Sequence, residues 1–219
     1  MEQKIVIAIS REYASGGKEI GELLSEDLGL HYYDKEILKL AADESGINEA
    51  LFNEARSSFK KPSLFRGAKK VLSGEPLTPD SSDYTSEENL FKLQAKTIRD
   101  LAQRESCIIV GRCAGFTLKE NPNVIRVFTH APKWFRLEEA AKKKSLPPRE
   151  LEKYVDRMTE QRAAYFEHFT GHKWYDVRNY DLCLDSSKLG YEKCVRMIEG
   201  YMNVRFGAGT VEALRAAKK

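Results

Sequence analysis

A chain of 219 residues is long enough for one α/β domain carrying an insertion or for two small domains. Its 42% hydrophobic content can supply a core, and a net charge of only +3 gives no global drive toward nucleic acid or an acidic membrane surface. No apolar run approaches the roughly 20 residues of a spanning helix, and the sequence opens on a strand-like run with no leader pattern, so it predicts a cytoplasmic protein without nucleic acid or membrane as partner.

KIVIAIS (residues 4–10) predicts a strand buried on both faces, because its apolarity is nearly continuous. Ile20, Leu23, Leu24 and Leu28 then keep 3.6-residue spacing, which predicts a helix from about Gly17 that Gly29 ends. LHYY (30–33) reads as a second strand, with Asp34 placed to cap the helix that bears Leu38 and Ala41. From 45 to 86 the pattern loosens into prolines, glycines and serines, predicting an insertion of short helical pieces and loops outside the sheet. Thr85-x-x-Glu88 is a capping-box signature; the helix it opens would bury Leu90, Phe91, Ala95, Ile98, Leu101 and Ala102. CIIVGR (107–112) and VIRVFTHAP (124–132) predict the third and fourth strands, with Pro132 starting a helix. A long charged helix is expected from about Pro148 to His168, a fifth strand in YDLCLDSS (180–187), and a last helix through Val195, Ile198 and Met202, leaving a weakly packed tail. Strands alternating with helices imply an α/β fold, a parallel five-stranded sheet with helices on both faces.

Cys107, Cys113, Cys183 and Cys194 form no C-x-x-C pair and have no His at ligand spacing, which predicts buried free thiols in a reducing compartment. The clusters Lys60-Lys61, Lys69-Lys70 and Lys142-Lys143-Lys144 read as solvated faces.

Chemistry enters at ISREYASGGKEIGELL (9–24). A strand, a Ser-Gly-Gly turn and a helix N-terminus follow one another there. Unpaired N–H groups and the helix dipole attract anions at such a terminus. Gly16 and Gly17 let a phosphate approach the backbone, and Lys18 can reach the outer phosphates of ATP. The match to Gly-x-x-x-x-Gly-Lys-Ser/Thr is incomplete: Glu12 stands at the first Gly and Glu19 at the Ser/Thr.

The run ISREYASGGKEIGELLSEDLGLHYYDKEIL resembles the cytidylate kinase-like family of phosphate-loop kinases, and IIVGRCAGFTL, VFTHAPKWFR, RAAYFEHFTGHKW and YDLCLDSS continue the likeness in order. The resemblance implies one kinase-like domain over 1–219, with 45–86 as a substrate-binding insertion and 145–176 as a mobile lid. It makes Tyr13, Ala14, Ser15, Gly16, Gly17, Lys18 and Glu19 a variant ATP-binding loop. Glu19 either ligates Mg²⁺ with a carboxylate or only favours the helix N-terminus. Arg112 matches a monophosphate-contacting arginine, although Cys113 replaces the Asp that follows it. Aligned with the lid pattern Arg-Asp-x-x-Asp-x-x-Arg, Arg162 is the arginine for the migrating phosphoryl group, a catalytic role beside Lys18. Thr159 then replaces the second Asp and Val155 the first Arg, a loss for which Arg157 is the candidate replacement on the ATP side or else part of a solvated face. Arg136 opens the lid arm, as a phosphate ligand or a solvated residue. Asp34 either holds a magnesium-bound water, orients the acceptor phosphate, or caps a helix. Ala41 stands where cytidylate kinases place a monophosphate-binding Arg, for which Lys39, Arg56, Lys60, Lys61 or Arg66 would have to compensate. YFEHFTGHKWYD (165–176) forms a lid hinge or a stacking wall.

The implied activity is an ATP- and Mg²⁺-dependent phosphotransferase acting on a nucleoside monophosphate such as CMP or dCMP. A kinase of another small metabolite and a non-catalytic nucleotide sensor are the alternatives. Oligomeric state is open, monomer or homo-oligomer.

Overall fold

The computed structural model describes residues 4–57 and 74–218. Five strands form one parallel sheet: β1 (Val6–Arg11), β2 (His31–Tyr33), β3 (Cys107–Val110), β4 (Val124–His130) and β5 (Leu182–Asp185). Their order is β2-β3-β1-β4-β5, and every pairing is parallel. Among the described residues ten α-helices accompany it: α1 (Gly17–Leu28), α2 (Glu36–Ser45), α3 (Glu49–Ser57), α4 (Glu87–Arg104), α5 (Ala114–Thr117), α6 (Lys133–Ala141), α7 (Pro148–Thr170), α8 (Ser186–Leu189), α9 (Tyr191–Phe206) and α10 (Thr210–Ala217).

The near-continuous apolarity of β1 is explained by its central place. Ile7 and Ile9 face α1, α9 and α10 in one core, with Ile108, Val110, Ile125 and Val127 beside them. Val6 and Ala8 face the opposite core, against Ile37 of α2, Ile98 and Leu101 of α4 and Ala114 of α5. Each fully buried aliphatic side chain contributes about 1.5–3 kcal/mol. On α1 the buried residues Ile20, Leu24 and Leu28 form the inner stripe, and the helix ends where Gly29 turns left-handed (φ 66°) and donates to the Ser25 carbonyl.

The chain runs from β1 to β2 on one side of the sheet, then crosses β1 to reach β4 on the other. A crevice opens beyond the carboxyl ends of β1, β2 and β3, lined by Arg11, Asp34 and Arg112, at the end of an open parallel sheet where ligands bind.

Four local expectations are corrected. Asp34 does not cap α2; Lys35 holds that position without a side-chain bond, while Asp34 pairs with Arg11 at 3.4 Å. The cap of α4 is Ser86, whose hydroxyl accepts from the Asn89 N–H, one residue beyond Thr85. Cys183 is exposed, unlike the other three free thiols. The tail is packed: α10 buries Val211, and Arg215 bridges Asp27 of α1 (2.6 Å) and Glu199 of α9 (2.8 Å). Lys60, Lys61, Arg66 and Lys69-Lys70 lie outside the described residues, as does the side chain of Arg56.

Burial, then the Asp27 carboxyl beside it, pushes the Glu199 carboxyl from its ordinary 4.5 up to about 7. A folded state that holds this proton more tightly than the unfolded chain gains stability below 4.5 and loses that gain as pH rises through about 7. Glu199→Gln is therefore expected to flatten the fall in melting temperature across that window. Melting curves of the two proteins over the same pH series check it; parallel curves would count against the tail cluster.

Candidate active site

Residues 12–16 join β1 to α1. Ala14 (φ 61°) and Gly16 (φ 77°) are left-handed, which turns the chain sharply into the first helical turn. Ser15 is fully buried; its hydroxyl lies 2.9 Å from the Thr129 carbonyl and 3.1 Å from the Thr129 Oγ1, so it pins the loop to β4. Neither glycine has room for a side chain. A Cβ on Gly16 would fall 2.1 Å from the Tyr191 ring, and one on Gly17 would fall 2.5 Å from Arg11 Cβ and 2.6 Å from Thr129 Oγ1. Gly17→Ala is accordingly expected to cost about 1–3 kcal/mol through overpacking, lowering the melting temperature by several degrees. An unchanged melting temperature would mean that the loop packs otherwise.

Lys18 is solvent-exposed and pairs with Glu22 at 3.1 Å; that hydrogen bond holds its ammonium above the usual lysine range. Glu19, in the first turn, pairs with Lys143 from the α6–α7 connection. Tyr191, at the start of α9, covers Gly16 and donates to Glu139 of α6 at 2.8 Å. Two walls therefore flank the loop: α6 with its following lysines, and the N-terminal end of α9.

On the other side of the loop lies a cavity of about 780 Å³. Among the described residues, Arg11, Lys35, Arg112, Lys144, Arg157 and Arg162 line it against a single carboxylate, Asp34. Tyr13, Tyr154, Tyr165 and Trp174 supply aromatic wall. Burial, then the neighbouring Tyr154 hydroxyl, pushes the Tyr13 phenol up to about 12. Arg11 ends β1 with its guanidinium toward Asp34 and beside Gly111, whose φ of 81° favours glycine at this approach. Arg112 follows β3, and its Nε donates to the Asp34 carbonyl at 3.2 Å. Gly111, Arg112 and Cys113 have φ of 81°, 58° and 55°. Two non-glycine residues in that region store about 1–3 kcal/mol each, strain that concentrates at functional sites.

Two of the three arginines of α7, Arg157 and Arg162, reach this cavity. Arg162 Nη1 donates to the Arg11 carbonyl at 3.0 Å, with its guanidinium 5.4 Å from the Tyr13 ring centre. Arg157 is exposed and lies over the Tyr154 ring at 5.4 Å. Arg136 does not line the cavity: it donates to the Ala131 carbonyl (3.0 Å) and Thr159 Oγ1 (3.2 Å) and lies 3.5 Å from Glu12. Of YFEHFTGHKWYD, Phe166, Phe169 and Trp174 belong to a buried aromatic cluster with Phe91 and Phe128.

The expected residues thus divide into the loop (Ala14 to Glu19), the cavity wall (Tyr13, Asp34, Arg112, Arg157, Arg162) and one tied beneath the loop (Arg136). Sequence reasoning missed Arg11, Lys35 and Lys144 in the wall, and Lys143, Glu139 and Tyr191 beside the loop. The Lys142–Lys144 cluster was visible as charge, but its partners lie far along the chain.

Glu19 and Asp34 offer the hard carboxylate oxygens that magnesium takes, and each is partly accessible and paired with a cation, Lys143 and Arg11. Among the described residues no group of three or more His, Cys, Asp or Glu is placed to hold a metal ion. No described helix is long and apolar enough to cross a membrane.

Comparison with known proteins agrees with this architecture. An uncharacterized protein from Eubacterium ventriosum superposes with a TM-score of 0.68 at 24% identity, over 92% of this chain and 100% of that one. Shikimate kinase from Bacteroides thetaiotaomicron gives 0.52 at 12% identity, over 91% and 98%. A sugar kinase from Janibacter gives 0.50 at 14%, over 91% and 95%. These similarities show a shared fold. No curated protein matches. The sequence model of the cytidylate kinase-like family matches residues 6–188. The chain belongs to the cytidylate kinase-like family.

Proposed function

We propose that the protein is an ATP-dependent phosphotransferase whose acceptor is a small anionic molecule, a nucleoside monophosphate such as CMP or dCMP. The observation that carries this reading is the cavity beside the loop, where the described residues set six cationic side chains against one carboxylate. Such a wall attracts a phosphate-bearing acceptor, and its tyrosines offer planar surface to a base. Family membership and a fold shared with two kinases support the reaction class.

In this reading the amides of Gly16 and Gly17 and the Lys18 ammonium hold the triphosphate of ATP at the N-terminus of α1. Glu19 and Asp34 would be the carboxylates available to hold Mg²⁺, which would neutralise phosphate charge. Arg112 and Arg11 hold the acceptor's anionic group, with Asp34 orienting them. Arg162 meets the migrating phosphoryl group, where preorganised positive charge lowers the barrier.

A different small acceptor is the second reading, and Ala41 and Thr159 favour it. Ala41 is buried against Leu38 and Leu90, and Thr159 is occupied by Tyr13 N–H and Arg136, so neither lines the cavity where cytidylate kinases carry acceptor contacts. A coupled ADP-release screen over nucleoside monophosphates and small hydroxylated acids separates the two. ADP formed with CMP or dCMP supports the first reading, and ADP formed only with another acceptor supports the second. ATP binding without ADP from any acceptor would leave a sensor.

The magnesium assignment has its own test. If Glu19 ligates the metal, Glu19→Gln is expected to raise the Mg²⁺ concentration for half-maximal activity, and Glu19→Ser to recover much of it. If Glu19 serves only the helix terminus and Lys143, Glu19→Gln lowers stability by about 0.3–1 kcal/mol and leaves the requirement unchanged.

A further inference from the structure

Glu12 is a carboxylate only 9% exposed, at the position where the general phosphate-loop pattern has glycine. A buried carboxylate beside a polyanion site is doubly unfavourable: it is desolvated, and it repels the ligand. Its partners explain how it is tolerated, and they lie on three separate segments. Glu12 Oε2 accepts from the Ala131 N–H beyond β4 at 3.2 Å and lies 3.5 Å from Arg136 Nε of α6. Glu12 Oε1 accepts from the Tyr175 hydroxyl beyond α7 at 3.1 Å. Burial, then this carboxylate, pushes the Tyr175 phenol up to about 12, which keeps it a donor.

The next residue extends the pattern. Tyr13 N–H donates to Thr159 Oγ1 on α7 at 3.2 Å, and Arg136 Nη1 donates to the same oxygen at 3.2 Å. Glu12, Arg136, Thr159 and Tyr13 therefore close a ring between the loop, α6 and α7. Thr159 lies less than one helical turn from Arg162, which itself donates to the Arg11 carbonyl.

We propose that Glu12 is a positioning residue that clamps the phosphate loop to α7, so that Arg162 rides with the loop and does not swing on an independent lid. Arg136 cancels its charge, Tyr175 closes it from the far side, and Thr159 replaces a ligand-facing acid with a neutral joint. The proposal rests on the kinase reading for its purpose but not for its test.

The test is amide hydrogen exchange on the ligand-free protein and on Glu12→Gln, Thr159→Val and Tyr175→Phe. Losing a hydrogen bond to a charged group is expected to speed exchange about tenfold or more, in residues 12–16 and 155–162 together, with α4 and α9 unchanged. Tyr175→Phe removes one hydroxyl from a half-exposed ring, so it reports even if Glu12→Gln folds poorly. Acceleration confined to the loop, or equal acceleration in α4 and α9, overturns the clamp. With ATP, calorimetry gives a second readout. A clamp predicts that Glu12→Gln lowers kcat about tenfold with ATP affinity kept, whereas a bystander charge predicts tighter ATP binding and unchanged kcat, which would also overturn it. Failure of ATP to bind at all would sink the kinase reading and leave the exchange result standing.

Discussion

Replacing Arg162 by alanine is expected to lower kcat on the order of 10³-fold, by analogy with arginines that meet a migrating phosphoryl group, while ATP affinity changes little. The reasoning is differential. Charge on the equatorial oxygens is greatest as the phosphoryl group moves, so a cation fixed in advance contributes most there. Arg162 is suitably fixed: Nη1 is bonded to the Arg11 carbonyl at 3.0 Å, and the guanidinium lies over Tyr13 at the seam between loop and cavity. Arg157 is five positions earlier on α7, exposed above Tyr154, and its removal is expected to cost far less. Arg162→Lys keeps the charge and loses the fork, so an intermediate rate is expected. Steady-state kinetics of the three variants, with melting curves to exclude unfolding, check this. A loss in Arg157→Ala exceeding that in Arg162→Ala would place the reacting phosphoryl group further from the loop.

Much of the fold is legible because it depends on local periodicity. The apolar run of β1, the 3.6-residue stripe of α1 and the inner face of α4 each state their burial within a few residues, and Gly29 marks a helix end by the conformation only glycine adopts cheaply. The loop is legible for the same reason, since strand, turn and helix terminus are contiguous. What the sequence hides is long-range pairing. Glu12 reads as a defect in the pattern; its partners Ala131 and Tyr175 lie 119 and 163 positions away. Asp34 has the residue type and place of a helix cap, and pairing with Arg11 across the sheet wins instead. The tail looks loose because one short turn of apolar spacing, at Val211 and Leu214, is a weak signal until α1 and α9 are there to receive it. Arg136 reads as a solvated or phosphate-binding residue, and only the meeting of α6, α7 and the loop shows it engaged on three sides.

The central claim is that the loop at the N-terminus of α1 grips the phosphates of ATP, and calorimetric titration of Mg²⁺-ATP into the protein and into Lys18→Ala tests it most directly. Lys18 pairs with Glu22, a contact on the solvent side that is cheap to exchange for a triphosphate. A charge-assisted contact with phosphate is worth about 1.5–3 kcal/mol, so Lys18→Ala is expected to bind Mg²⁺-ATP about tenfold to a hundredfold more weakly, with an unchanged melting temperature. Equal ATP affinity in the two proteins would contradict the assignment of this loop.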